Sequence, residues 1–295
     1  MSRVVAAGHV NWDVTLRVDA LPEPDGEAEI VSQRRSGGGS AANVACALAG
    51  FDIDAGLVGS VGDDEHGLLA QRELQAAGVD LAGLRVVDGL ETSVKYLLVD
   101  SRGEVMVLGN DGANEAVAPG DLDPAVVGAD CEHVHLTSQR PATAARLTAL
   151  AREHDATVSF DPGRRLRDRD YGDALARTDI LFVNDNEAGA VLDDDGGPTA
   201  PDSDRVVVVK HGSDGATVHT PSGSVTHPGF AVDPVDTTGA GDAFAAGFVA
   251  VVLDGGDHER ALEFGNACGA LAAQHEGART APTRADAASF LDSQF

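Results

Sequence analysis

The chain has 295 residues, enough to bury the core of one large α/β domain or of a domain with a small appendage. Its formal net charge is −27, from 48 acidic against 21 basic residues, and such a surface repels nucleic acid and anionic membranes, so neither is expected as a partner. No run of about eighteen apolar residues offers a membrane span, Met1-Ser2-Arg3 leads into an apolar stretch without a signal-peptide pattern, and Cys46, Cys131 and Cys268 stand far apart in apolar company, which together favour a cytoplasmic protein. The scarcity of lysine (Lys95 and Lys210) and of aromatics, with abundant Ala, Gly, Asp and Glu, fits an extreme halophile. In molar salt the Debye length is about 3 Å and self-repulsion is screened.

Arg3 to Val10 reads as a first buried parallel strand. Asn11 and Asp13 follow at its C-terminal end, where open α/β sheets place ligand groups, although Asp13 also reads as an ordinary loop acid. Two pairs of alternating stretches then interrupt the strand–helix rhythm. Val14–Val18 and Ala28–Ser32 flank Pro22-Glu23-Pro24-Asp25-Gly26; Thr92–Val99 and Glu104–Leu108 flank the turn Asp100-Ser101-Arg102-Gly103. Together they predict a small β lid, over about residues 14–35 and 92–109, that excludes water from a site. Between them, Gly37-Gly38-Gly39-Ser40-Ala41-Ala42-Asn43-Val44-Ala45 opens a helix continuing to about Leu48. Its glycines let backbone N–H groups approach a ligand, though a bare glycine run is also the composition of a linker.

Regular units follow: a strand over Ile53–Gly59, a helix over about Asp64–Ala77, strands over Leu84–Val87 and Glu132–Thr137, a helix over Pro141–His154 and a strand over Thr157–Asp161. Arg164, just beyond, can grip a phosphate or carboxylate, but beside Arg165, Arg167 and Arg169 it is read as a partner for the chain's own acids and left outside the site. Ile180–Val183 runs into Asn184-Asp185-Asn186-Glu187, oxygen ligands at a helix head that suit Mg²⁺ through its waters and suit a capping box equally well. A strand over Arg205–Val209 turns through Lys210-His211-Gly212-Ser213-Asp214-Gly215 into Ala216–Thr220, and a last helix, carrying Asn266, runs from about His258 to His275. The most informative string is Asp236-Thr237-Thr238-Gly239-Ala240-Gly241-Asp242, ahead of the apolar run Ala243–Leu253. A Gly239-Ala240-Gly241 turn opening a helix offers free N–H groups and a positive dipole end, an anion cradle. A carboxylate repels an anion, so Asp242 makes most sense as a base taking a proton from an attacking hydroxyl; the alternative is a charge on the helix's first turn.

The strings Gly37–Ala45 and Asp236–Asp242 resemble the two signatures of the ribokinase-like (PfkB-type) carbohydrate kinases, and Val58-Gly59-Ser60-Val61-Gly62-Asp63-Asp64 resembles a third segment of that family. The resemblance spans nearly the whole chain. It implies a three-layer α/β/α ribokinase-like fold with a mainly parallel central sheet, one kinase domain over 1–295, and transfer of a phosphoryl group from ATP to a primary hydroxyl of a small sugar. Substrate contacts are implied at Asn11, Asp13, Gly38, Gly39, Asn43 and Asp242. Nucleotide contacts are implied at Asn184, Lys210, Gly212, Ser213, Gly215, Gly239, Gly241 and Asn266, with Mg²⁺ linked to Asn184 and Glu187. Asp236 and Thr238 would hold K⁺ against the loop Gly277-Ala278-Arg279-Thr280, which is one residue shorter than in ribokinase. No Gly-x-x-x-x-Gly-Lys-Ser/Thr string occurs, so a P-loop is not expected.

Ribokinase-, fructokinase-, ketodeoxygluconate- and nucleoside-kinase-like enzymes share all these motifs. Lys95 on a lid strand separates them: facing inward it would bind a carboxylate or phosphate on a sugar acid or sugar phosphate, and facing outward it is an ordinary edge-strand lysine. Outward is the preferred reading, leaving a neutral sugar as the first expectation. Few aromatics near the lid argue against a nucleoside. A sugar-binding homologue without activity is the alternative from another class, and exposed lid edges predict a homodimer.

Overall fold

The computed structural model describes residues 3–23, 25–102, 104–192 and 205–294; Met1, Ser2 and the turn residues Pro24 and Gly103 lie outside the described residues. The chain opens with β1 (Val4–Ala7), β2 (Asn11–Val18), β3 (Ile30–Gly38), α1 (Ser40–Gly50), β4 (Ala55–Gly62), α2 (Glu65–Ala76) and β5 (Leu84–Val87). Next come β6 (Ser93–Val99), β7 (Val105–Gly109), β8 (His133–Leu136), α3 (Pro141–Glu153), β9 (Thr157–Phe160), α4 (Gly172–Leu175), β10 (Ile180–Asn184) and α5 (Asp185–Ala188). The last part holds β11 (Val206–Lys210), β12 (Ala216–Thr220), β13 (Gly223–His227), α6 (Ala240–Leu253), α7 (His258–Ala273) and α8 (Arg284–Asp292).

Nine strands form one sheet in the order β13-β12-β11-β10-β9-β8-β1-β4-β5, parallel from β11 to β5 and antiparallel at β12 and β13. Valine- and alanine-rich strands with no polar face require cover on both sides. In β1, Val4 and Ala6 join the core beneath α1, α6 and α7, while Val5 and Ala7 join the opposite core beneath α3. This is the expected three-layer ribokinase-like arrangement. Phe182 of β10 meets Phe244 and Phe248 of α6 edge-on, with ring centroids 6.4 and 5.5 Å away, which fixes α6 on the sheet and so fixes the position of its N-terminus.

The stretches expected to form a lid build a separate four-stranded sheet in the order β3-β2-β6-β7. Its central pair, β2 and β6, is parallel and sets Asp13 directly opposite Lys95. One of its strands starts earlier than expected: β2 begins at Asn11, so Asn11 and Asp13 belong to this sheet and not to a loop after β1. The alternative reading of Asp13 as a loop acid is thereby corrected, because eight ladder residues from Asn11 hold it in an extended strand. β3 likewise continues to Gly38. Three elements were not anticipated, the short α4 among them. β13 forms a hairpin with β12, and α8, begun by a capping box of Thr283 with Asp286, displaces α7 as the last helix.

Candidate active site

Asp242 sits in the first turn of α6, a helix capped by Gly239 at φ 79°. A side chain at Gly239 would be strained at that angle and would set its Cβ 2.1 Å from the Ala278 carbonyl oxygen, so the turn that presents the α6 N–H groups depends on glycine. Asn43 of α1 donates from Nδ2 to Asp242 Oδ2 at 2.7 Å, joining the two signature segments across the core. Burial pushes the Asp242 carboxyl up to about 6, against the Asn43 hydrogen bond, the Lys210 charge and a hydrogen bond from Ser40. A carboxylate with that proton affinity is ionised at neutral pH and still accepts a proton readily.

Around Asp242 lies a cavity of about 380 Å³. Of the expected substrate residues, Asn11, Asp13, Gly39, Asn43 and Asp242 line it; Gly38 serves indirectly, since a Cβ there would lie 2.0 Å from Asp13 Oδ2. Burial pushes Asp13 up to about 6 as well, moderated by the charges of Arg279 and Lys95 and reinforced by Asp236. Asp13 Oδ1 and Asn43 Oδ1 are buried with no hydrogen-bond partner. Orphaned acceptors of this kind in a cavity fit the hydroxyl groups of a sugar.

Lys95 and Arg164 line the same cavity, which reverses both readings made from sequence. The pleat decides the first: Lys95 and Leu97 face the cavity, whereas Tyr96 between them is 43% exposed. Arg164 forms no ion pair with the abundant acids among the described residues, while its neighbours Arg165 and Arg169 both reach Glu115.

A second cavity, about 540 Å³, opens on the far side of the α6 N-terminus. Lys210, Gly212, Ser213, Gly215, Gly241 and Asn266 line it as expected, and Asn266 is anchored by its Nδ2 bond to Leu262 O at 2.8 Å. Gly239 faces the first cavity instead, and Asn184 lines neither. Asn184 and Glu187 form the reciprocal capping box, at 3.1 Å in each direction, which uses Asn184 Oδ1 and Glu187 Oε2. Glu187 Oε1 remains buried and unpartnered. Asp236 accepts from Thr238 N at 2.9 Å and Gly277 N at 3.0 Å, tying the signature loop to the 277–280 segment. Sequence reasoning missed Asp161, which meets Lys210 Nζ at 2.5 Å; its place after a parallel strand was the available signal.

A polar cavity ending in a buried carboxylate, beside a larger and more apolar cavity across a helix N-terminus, fits the two substrates of a phosphotransferase. Residues 1–285 match the pfkB family carbohydrate kinases, and the chain belongs to that family. It is 65% identical, over the full length of both chains, to an ATP-dependent ribose-1-phosphate kinase of Halopiger xanaduensis. Among solved structures it resembles a nucleoside kinase of Methanocaldococcus jannaschii, an archaeal member of the ribokinase family, at 25% identity, a TM-score of 0.87 and 99% coverage of each chain. The ribokinase of Arabidopsis thaliana, solved with ribose and ATP, aligns at 25% identity, a TM-score of 0.83 and 98% coverage of each. The chain is therefore an ATP-dependent sugar or sugar-phosphate kinase of the ribokinase family. Among the described residues no helix is long and apolar enough to cross a membrane.

Proposed function

We propose that this kinase transfers the γ-phosphoryl group of ATP to the primary hydroxyl of a sugar phosphate, with ribose 1-phosphate as the first candidate on the strength of the Halopiger relative. The observation that carries this reading is the presence of Lys95 and Arg164 in one cavity with Asp13 and Asp242. A neutral sugar engages the carboxylates and amides of this cavity alone, whereas a phosphate monoester also accepts charge-assisted hydrogen bonds from both cations. The neutral-sugar expectation yields to this one.

In this reading Asp13 and Asn43 hold the sugar hydroxyls through their free acceptor oxygens, and Asp242 takes the proton of the attacking hydroxyl. The N–H groups from Gly239 to Asp242 stabilise the charge on the group in transit. Glu187 Oε1 fits a water-mediated hold on Mg²⁺. Among the described residues no group of three or more His, Cys, Asp or Glu gathers to bind an ion unaided, so nucleotide phosphates and water would complete its shell. Held there, the ion would supply positive charge that offsets the charge of the phosphate groups. A K⁺ at Asp236 and Thr238 belongs to the same reading with a small share, since both Asp236 oxygens already accept backbone N–H groups. Exchange of K⁺ for Na⁺ at constant ionic strength measures that share.

The acidic surface is read as adaptation to molar salt, checked by melting temperature against KCl concentration. The exposed strand β7, with Val105, Val107 and Leu108 each more than half exposed, supports a homodimer through the lid, checked by molar mass in solution. The test of the main reading is an ATP-consumption assay with Mg²⁺ in molar KCl on ribose 1-phosphate, ribose and a nucleoside. Turnover confined to the phosphorylated sugar supports it; turnover of ribose with equal efficiency removes the role of the two cations.

A further inference from the structure

The donor and acceptor cavities share one lining residue, Gly241. The phosphoryl group must cross at that point. A Cβ at Gly241 would stand 3.5 Å from Lys210 Nζ, so the ammonium lies at the crossing. Lys210 is also the one charged residue that lines the donor cavity among the described residues. Its side chain is 20% exposed, and the charges of Asp161, Asp242 and Glu187 all bear on it.

The sheet order explains how it is held. Lys210 ends β11, Asn184 ends the neighbouring β10, and Asp161 follows β9 on the other side of β10. The lysine stem therefore reaches across one strand end to Asp161 Oδ2 at 2.5 Å. That anchor fixes the ammonium against the pull of Asp242, whose charge also bears on it.

We propose that Lys210 is a catalytic residue whose ammonium stabilises the phosphoryl group as it passes Gly241, and that Asp161 is the positioning residue that keeps the ammonium there. This rests on the reading of Asp242 as base and goes beyond the nucleotide contact expected for Lys210. In the step, the bond from the γ-phosphorus to the β,γ-bridging oxygen breaks and that oxygen leaves with ADP, carrying the electron pair. The acceptor oxygen forms the new bond, its proton passes to Asp242, and Lys210 keeps its protons throughout. A fixed cation in a site shielded from water acts on the charge that develops in the transition state more than on bound ATP.

The experiment measures kcat and a directly titrated ATP dissociation constant for Lys210→Met, Lys210→Arg, Asp161→Asn and the double variant Lys210→Met/Asp161→Asn. Lys210→Met is expected to lower kcat about 10²–10³-fold while ATP affinity changes less than about threefold, and Lys210→Arg to restore about tenfold. Asp161→Asn is expected to lower kcat about tenfold alone and to have no effect when added to Lys210→Met. The double variant removes both buried charges together, so it remains informative if a single variant misfolds around an unpaired one. Loss of ATP affinity with kcat retained in Lys210→Met, or in the double variant, makes the lysine a ground-state contact and overturns the proposal. So does an additive effect of Asp161→Asn. Retained turnover in Asp242→Asn would instead overturn the underlying assignment of the base, independently of these four proteins.

Discussion

The two cavities that meet at Gly241 are built on opposite plans. The donor side is shaped by α6, α7 and the β11–β12 turn, is lined mainly by glycine, alanine, valine and phenylalanine with the uncharged polar Ser213, Thr237 and Asn266, and carries Lys210 as its one charge among the described residues. The acceptor side is smaller and lined by carboxylates, amides and two cations, several of them from the lid. On the proposed reading the donor cavity would recognise its ligand chiefly by shape, and the acceptor cavity by charge and hydrogen bonding. On the proposed reading, selectivity for the acceptor would reside in residues such as Lys95 and Arg164 that lie outside the signature strings.

Removing the base breaks the comparison most severely. Asp242→Asn keeps the shape and the Asn43 neighbour but accepts no proton, and kcat should fall about 10²–10⁴-fold with acceptor binding retained, as read by single-turnover kinetics and calorimetry. Neutralising the cations sharpens the contrast between the sides. Lys95→Gln and Arg164→Gln should each raise KM for the phosphorylated acceptor about tenfold, the worth of a charged hydrogen bond of about 1.5 kcal/mol, and leave KM for ATP unchanged. Filling the turn between the cavities is a matter of stability as well as rate. Gly239→Ala places a Cβ against Ala278 O at a backbone angle alanine avoids, and should cost about 1–3 kcal/mol in a denaturant titration.

A further contrast lies in pH dependence. Asp242 is raised above its unfolded value, so its contribution to stability is fully present below pH 3.8 and is lost as pH rises through about 6, where the buried group must ionise. Activity runs the other way, because the ionised form is the base, and should fall as pH drops below about 6. Asp242→Asn should therefore melt higher than the parent above pH 6, by up to about 2–3 kcal/mol, and show no such advantage near pH 3. An unchanged melting curve at pH 7 would mean that Asp242 is not strained by burial.

These contrasts also explain what could be read from the sequence. The placing of Gly239 to Asp242 and Gly38 to Asn43 about one cavity was legible because each lies in a contiguous string: a glycine turn, a helix start and a polar side chain are neighbours in the chain. Lys95 was misread because the direction of a lid side chain depends on pairing with β2, which brings Asp13 opposite it from far along the chain. Arg164 was misread because composition favoured ion pairs, and only the tertiary arrangement sends Arg165 and Arg169 to Glu115 and leaves Arg164 to the cavity. Asp161 and Lys210 meet through the order β9-β10-β11, which local pattern does not encode. By contrast α8 was recoverable, since Thr283 followed three residues later by Asp286 is a helix-start signal in the sequence itself.

The measurement that reaches the central claim most directly is the ratio of kcat/KM for a sugar phosphate to that for the same sugar without its phosphate, taken in the parent enzyme and in Lys95→Gln/Arg164→Gln. The account predicts a ratio above about 10² in the parent, equal to about 2.7 kcal/mol of discrimination, that collapses towards unity when both cations are gone. A parent ratio near one, or a high ratio that survives the double substitution, would contradict it.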